Sequence, residues 1–199
     1  MIKHLIFDFD GVIADTHDIN WAISSECDPA ATYEDFLAHH DGNVFAEPRI
    51  KFSIPGFFSK EYKKHLNINH LSKAVGPLKR FKKDYSLYII SSTREEIIKE
   101  VLEKAGILDL FTRVMGPETH RSKIEKFKML MAEHGIADDN TIFITDTLGD
   151  IKEAHKVGIK TIAETFGFHN RERLALGEPY KIVDSWEEVE RSLEEISNN

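Results

Sequence analysis

Two carboxylates, Asp8 and Asp10, stand two positions apart where a short apolar run, Leu5-Ile6-Phe7, comes to its end. Side chains at i and i+2 of an extended chain share a side. Like charges that close raise each other's pKa unless a cation intervenes. Further along, Ser91 and Ser92 follow a second apolar run, and Asp146 and Asp150 follow a third, in "ITDTLGD". Lys123 lies between them, near the start of a helical pattern. Several carboxylates at one edge form a hard-oxygen site of the kind that Mg²⁺ occupies, keeping waters and sharing its shell with phosphate oxygens. A hydroxyl and a lysine suit the remaining phosphate oxygens. One carboxylate is then free to attack phosphorus, and its neighbour can move a proton.

The elements that must position these groups are legible as alternation. Leu5-Ile6-Phe7, Leu87-Tyr88-Ile89-Ile90, Ile142-Phe143-Ile144 and Thr161-Ile162-Ala163 are continuous apolar runs, the pattern of parallel strands covered on both faces. Helical patterns separate them. Thr93-x-x-Glu96 reads as a capping box ahead of the stripe Ile97, Ile98, Val101, Leu102, Ala105. Ser122-x-x-Glu125 opens a helix stopped by Gly135, a third runs from about Gly149 to Gly158, and Ser185-x-x-Glu188 opens the last. The expectation is a doubly wound, Rossmann-like α/β fold with a parallel sheet. All the candidate residues then fall on one sheet edge.

Residues 17 to 83 break the alternation. They read as short helices and loops, with Thr32-x-x-Asp35 as one start, inserted after strand one. The expected division is a catalytic core of residues 1–16 and 84–199 and a small helical cap of residues 17–83. The cap would hold the specificity residues, with Arg49, His39, His40 and Phe57 as candidates. Residues 49–83 carry ten basic side chains against one acidic, Glu61. They are either a solvated lysine face or a positive lid that draws in an anionic substrate.

Composition bounds the rest. The 199 residues are 41% hydrophobic and carry a net charge of -8, which argues against nucleic acid and anionic lipid as partners. The single cysteine, Cys27, allows no internal disulfide and fits a reducing compartment. The start of the chain does not read as a signal peptide, and no run is long enough for a membrane helix. A cytoplasmic location is expected, with a small phosphorylated substrate as the partner.

"DFDGVIADT", "YIISS", the lysine of "RSKIEK" and "TDTLGD" together resemble the four motifs of the haloacid-dehalogenase-like hydrolase superfamily, in order, over roughly residues 1–16 and 84–165. The resemblance implies a Mg²⁺-dependent phosphatase with a small helical cap, of the phosphoglycolate phosphatase or β-phosphoglucomutase kind. It implies Asp8 as nucleophile and metal ligand, and Asp10 as general acid and base that binds metal through its backbone carbonyl. Ser91, with Ser92 beside it, and Lys123 would bind the phosphoryl group. Asp146 would be a metal ligand, and Asp150 would support the metal or Lys123. The family usually has Gly where Thr145 stands, and often Asn where Ser92 stands. Asp10 argues against dehalogenase chemistry, whose leaving group needs no proton. The phosphonate-cleaving branch, with its Schiff-base lysine, stays open on lysine count alone. The implied activity is hydrolysis of a phosphoglycolate- or sugar-phosphate-type metabolite. A sugar phosphomutase is the alternative, and a phospho-accepting signalling receiver a distant one.

Overall fold

The computed structural model describes residues 1–197. Six strands, β1 (His4–Phe7), β2 (Ser86–Ile90), β3 (Phe111–Met115), β4 (Thr141–Thr145), β5 (Lys160–Glu164) and β6 (Lys181–Val183), form one sheet in the order β3-β2-β1-β4-β5-β6. Every pairing is parallel, with Leu5 of β1 opposite Leu87 on one side and Ile142 on the other. The strand order turns about β1 and β4, the place where open α/β sheets form their ligand crevice. The helices are α1 (His17–Cys27), α2 (Tyr33–His39), α3 (Phe57–His65), α4 (Ser72–Phe81), α5 (Glu95–Lys104), α6 (Lys123–His134), α7 (Leu148–His155), α8 (Arg171–Ala175) and α9 (Trp186–Ser197).

The apolar runs are continuous because both faces of the sheet are covered. Leu5, Phe7, Leu87, Ile89, Ile142 and Ile144 turn to one side, against Leu78 and Phe81 of α4, Ile98 and Leu102 of α5, and Val189 of α9. Ile6, Tyr88, Ile90 and Phe143 turn to the other, against Phe127 and Leu130 of α6 and Ala154 of α7. The four strands read from apolar runs are β1, β2, β4 and β5. The two without such runs, β3 and β6, are the outer strands of the sheet. Thr112 of β3 is exposed and β6 has only three residues, so neither carries the double-faced apolar pattern.

The inserted segment divides in two. α1, α2 and α3 stand over the carboxyl edge of the sheet on small clusters of their own, Ile23 with Tyr62 and Phe36 with Ile50. Each cluster takes in one side chain of the α/β part, Ile97 and Phe168 respectively. The Thr32–Asp35 capping box opens α2 as the sequence indicates. By contrast, Ala74, Leu78 and Phe81 of α4 join the main cluster under the sheet. Residues 72–81, grouped by sequence with the insertion, thus pack with the α/β layer. No helix among the described residues is long and apolar enough to cross a membrane.

The second face depends on one aromatic pair. Phe127 is fully buried, its ring 5.0 Å from that of Phe143 and nearly perpendicular to it. Phe127→Ala is expected to cost about 3–5 kcal/mol of stability, measured as a lower denaturant midpoint with an unchanged m-value.

Candidate active site

Parallel pairing carries the end of each inner strand to one edge. Asp8 follows β1 and is still in the ladder through its N–H to the Ile144 carbonyl, 2.9 Å. Ser91 follows β2 in the same way, its N–H donating to the Met115 carbonyl at 2.9 Å. Asp146 follows β4, Asp150 sits in the first turn of α7, and Lys123 is the first residue of α6. The chain leaves Asp8 through a tight turn at Gly11, whose φ is +77°. A Cβ built there would lie 1.9 Å from Asp146 Oδ2, so both the backbone angle and the close approach require glycine.

Lys123 Nζ is 2.8 Å from Asp8 Oδ2 and 2.5 Å from Asp150 Oδ2, with all three side chains buried. Thr145 Oγ1 donates to the same Asp150 oxygen at 2.8 Å. Burial works against the Lys123 charge, but Asp150 and Asp8 outweigh it and hold its pKa above the usual lysine value. Asp150 likewise stays below the usual carboxylate range despite its burial, because Lys123 and its hydrogen-bond donors favour the ionised form. Asp8 goes the other way. Burial raises its pKa well above the normal range, Lys123 only partly opposes this, and Asp150 and Asp146 add repulsion. The site thus holds more carboxylate than its one lysine can neutralise.

Asp146 carries the clearest sign of what is missing from that balance. It is fully buried, and burial above all raises its pKa to about 8. Its Oδ2 accepts from the Phe168 N–H at 2.8 Å, while Oδ1 has no hydrogen-bond partner. A buried, unpaired carboxylate oxygen carries a large penalty unless a cation meets it. Among the described residues, no three His, Cys, Asp or Glu side chains converge as a ready-made metal cluster. A cation here would draw on two carboxylates, a backbone carbonyl and water. That is the sparse, water-sharing donor set Mg²⁺ uses, unlike the fuller oxygen shell of Ca²⁺ or the Cys and His ligands of structural Zn²⁺.

Asp10 is held partly by the inserted helices. Its Oδ1 accepts from Tyr62 Oη at 2.5 Å, Thr16 Oγ1 at 2.8 Å and Asn20 Nδ2 at 3.3 Å, and its Oδ2 from Thr93 Oγ1 at 2.6 Å. Thr93 does not cap α5 in the box read from sequence. That helix begins at Glu95 with Arg94 at the N-cap and no side-chain cap, and the Thr93 hydroxyl serves Asp10 instead. Tyr62 and Asn20 lie in the inserted segment, and nothing in their spacing signals a role at the edge.

A cavity of about 300 Å³ lies between the sheet edge and helices α1–α3. Asp8, Asp10, Ser91, Ser92, Lys123 and Asp150 line its floor; Asp146 does not line it. His39 and His40 line its upper wall, whereas Arg49 and Phe57 do not. Lys126, missed in the sequence, is buried under the site and donates to the Ser91 carbonyl at 2.5 Å. Burial, then the Lys123 charge, lowers its pKa to about 7. None of the ten basic residues of 49–83 lines the cavity. Several are paired at the periphery: Lys63 with Glu100, Lys73 with Asp15 and Arg80 with Glu190.

The model of the haloacid dehalogenase-like hydrolases matches residues 5–164. The chain belongs to the haloacid dehalogenase-like hydrolase family. A phosphoglycolate phosphatase of Vibrio vulnificus is 26% identical over 104 residues, which are 51% of this chain and 46% of that protein. A probable phosphatase of Dickeya dadantii is 31% identical over 108 residues, 53% and 47% of the two chains. The chain thus spans about half the length of the curated relatives it matches. In fold, it is similar to a β-phosphoglucomutase of Clostridium difficile, with a TM-score of 0.74 at 19% identity, covering 100% of this chain and 98% of the other. A haloacid dehalogenase-like hydrolase of Streptococcus pneumoniae has a TM-score of 0.68 at 19% identity, covering 96% and 98%.

Within the family pattern, the departure at Thr145 has a local account. Its hydroxyl adds a donor to Asp150 and so helps fix the carboxylate that fixes Lys123. Ser92 lines the cavity beside Ser91. Lys123→Ala would leave Asp8 and Asp150 buried and unpaired, a loss on the order of 3–5 kcal/mol. The variant is therefore expected to melt lower than the wild type, and in its folded fraction to turn over phosphate esters more than about tenfold more slowly. Calorimetry and active-site-normalised kinetics read the two effects separately.

Proposed function

We propose that this protein is a Mg²⁺-dependent phosphatase acting on a small phosphate monoester, with the phosphoryl group carried in passing on Asp8. The observation that supports this best is the pairing of Asp8 and Lys123 on the cavity floor, with Asp10 two residues away and facing the same cavity. In this reading, α1 to α3 form the cap and the α/β part carries the chemistry.

The residues divide the work as follows. Lys123 Nζ and Ser91 hold the phosphoryl oxygens, and the Lys123 charge offsets theirs. An Asp8 oxygen attacks phosphorus and the P–O bond to the leaving group breaks. Asp10 delivers a proton to that oxygen, so an alcohol departs. Asp10, now a carboxylate, takes a proton from the water that attacks the phosphoryl-Asp8, and inorganic phosphate leaves. Asp8 and Asp146 with the Asp10 carbonyl would hold Mg²⁺, and Asp150 acts through Lys123. The ion would supply positive charge to the phosphoryl oxygens and keep Asp8 ionised and aimed.

Hydrolysis is preferred over phosphomutase chemistry because five phenyl rings line the cavity wall, an apolar surface that a sugar would leave uncovered. The relatives named for phosphoglycolate suggest a carboxylate-bearing substrate, but they are matched over only about half their length.

Asparagine at position 10 keeps the size of the side chain and can neither give nor take the proton. With an aryl phosphate, whose leaving group hardly needs an acid, Asp10→Asn is expected to release up to one phenol per site and then stall. With an alkyl phosphate it should show almost no burst. Asp8→Asn should show none with either. Steady turnover of both substrates by Asp10→Asn would remove the acid and base assignment. Chelation is expected to abolish wild-type turnover and added Mg²⁺ to restore it; full activity after exhaustive chelation would remove the metal.

A further inference from the structure

The floor of the cavity explains how a phosphoryl group is held and says nothing of what it is attached to. That depends on the walls. Phe36, Phe45, Phe52, Phe58 and Phe168 line them, with Val44 and Ile97. The rings are held in order by one another. Phe58 lies parallel to Tyr62, with ring centres 5.9 Å apart, and Phe52 meets Phe58 edge-on at 5.5 Å. Phe36 and Phe168 are 5.6 Å apart. Phe45 and Phe52 remain 37% and 39% exposed, so apolar ring surface is left open within reach of the cavity.

The charges on these walls are of the wrong kind for an anionic tail. Lys123 is committed to Asp8 and Asp150. Arg94 is paired with Glu118 at 3.0 Å and Glu96 at 3.4 Å. His39 Nδ1 accepts the Arg49 N–H at 3.1 Å, so that nitrogen carries no proton. Burial, followed by Arg49, keeps the ring neutral with a pKa of about 4. His40 Nδ1 donates to the Phe36 carbonyl at 2.9 Å, and burial, then His39, keeps its pKa near 3. Arg121 stands over the Phe45 ring, 5.6 Å from its centre, and neither it nor Arg49 lines the cavity. One carboxylate lines it away from the phosphoryl floor, Glu153, held by Asn43 Nδ2 at 3.1 Å. A second anion on the substrate would lose its water and meet Glu153, and among the described residues the one wall cation, Arg94, already stands between Glu118 and Glu96.

We infer that the substrate is a phosphate monoester of an uncharged alcohol that carries an apolar ring, and that a carboxylate-bearing ester such as phosphoglycolate is a poor substrate. The inference rests on the phosphatase reading above and concerns its leaving group. The ring would cover the open faces of Phe52 and Phe45, and His40 Nε2 offers one acceptor for a hydroxyl. Selectivity then comes from apolar area gained on one side and unpaired charge rejected on the other.

The test is a comparison of kcat/KM, with Mg²⁺ present, for benzyl phosphate, ethyl phosphate and phosphoglycolate. All three release an alcohol, so the demand on Asp10 is the same. Acetyl phosphate, which needs no acid, reports on the phosphatase reading alone. Benzyl phosphate is expected to exceed each of the other two by at least about tenfold. In Phe52→Ala the ratio of benzyl to ethyl phosphate should fall at least about threefold; Phe52→Leu, which keeps an apolar side chain, guards against misfolding and should lower it less. Phosphoglycolate or ethyl phosphate equal to or better than benzyl phosphate would overturn the inference and leave the phosphatase reading standing. So would turnover of acetyl phosphate with none of the three esters. No hydrolysis of any of the four would overturn both.

Discussion

One buried lysine between two buried carboxylates is the interaction on which the rest of the site depends. Asp8 and Asp150 hold the Lys123 charge against its burial, and Lys123 and Thr145 hold Asp150 ionised against its own. Burial of all three makes each attraction strong and each unpaired group costly. The parallel sheet is the means of bringing them together. β1, β4 and the starts of α6 and α7 deliver one residue each to a single edge, with no reliance on a flexible loop. Two apolar faces then hold that edge in place. Even so the balance is left short of positive charge, with Asp8 raised and Asp146 Oδ1 unmet. A cation at Asp146, as proposed, would supply the positive charge the site lacks.

Asp10 links that chemistry to the cap. Its carboxylate is shared between Thr93 of the α/β part and Tyr62, Asn20 and Thr16 of the cap and its linker. In the proposed reading, one of these four donors would have to give way to the substrate oxygen. Any shift of α3 that carries Tyr62 away changes the setting of Asp10 at the same time. In the proposed reading, the position of α3 and proton transfer would act on the same carboxylate.

The edge was legible in sequence because its residues sit at the ends of elements that announce themselves. An apolar run closed by Asp8, Asp146 or Ser91 states both the strand and where it stops. The outer strands were not legible, since β3 and β6 are covered less completely and lack the run. Thr93 shows a different limit. Its spacing to Glu96 fits a capping box, and a hydroxyl satisfies either an N–H of the helix or a nearby carboxylate; only the fold brings Asp10 within 2.6 Å and decides it. Tyr62, Asn20 and Lys126 lie further beyond reach. Each touches the site through a long-range contact, and its neighbours in sequence belong to ordinary helical patterns.

The basic stretch of residues 49–83 tests how far composition can be carried toward function. Counted along the chain, ten cations near a proposed cap read as a funnel for anions. Placed in space, several of them bind carboxylates of the α/β part or of their own helix, and none reaches the cavity wall. Exposed pairs of this kind contribute little to stability and are screened by salt. Among the described residues, the cavity wall carries one cation, Arg94, and it is paired with Glu118 and Glu96. In the proposed reading, a single phosphate would be met at the floor by Lys123, while a second anion would be desolvated beside Glu153 with only the paired Arg94 near it. Charge would then decide where phosphorus sits, and the ring surface of the wall what it is attached to.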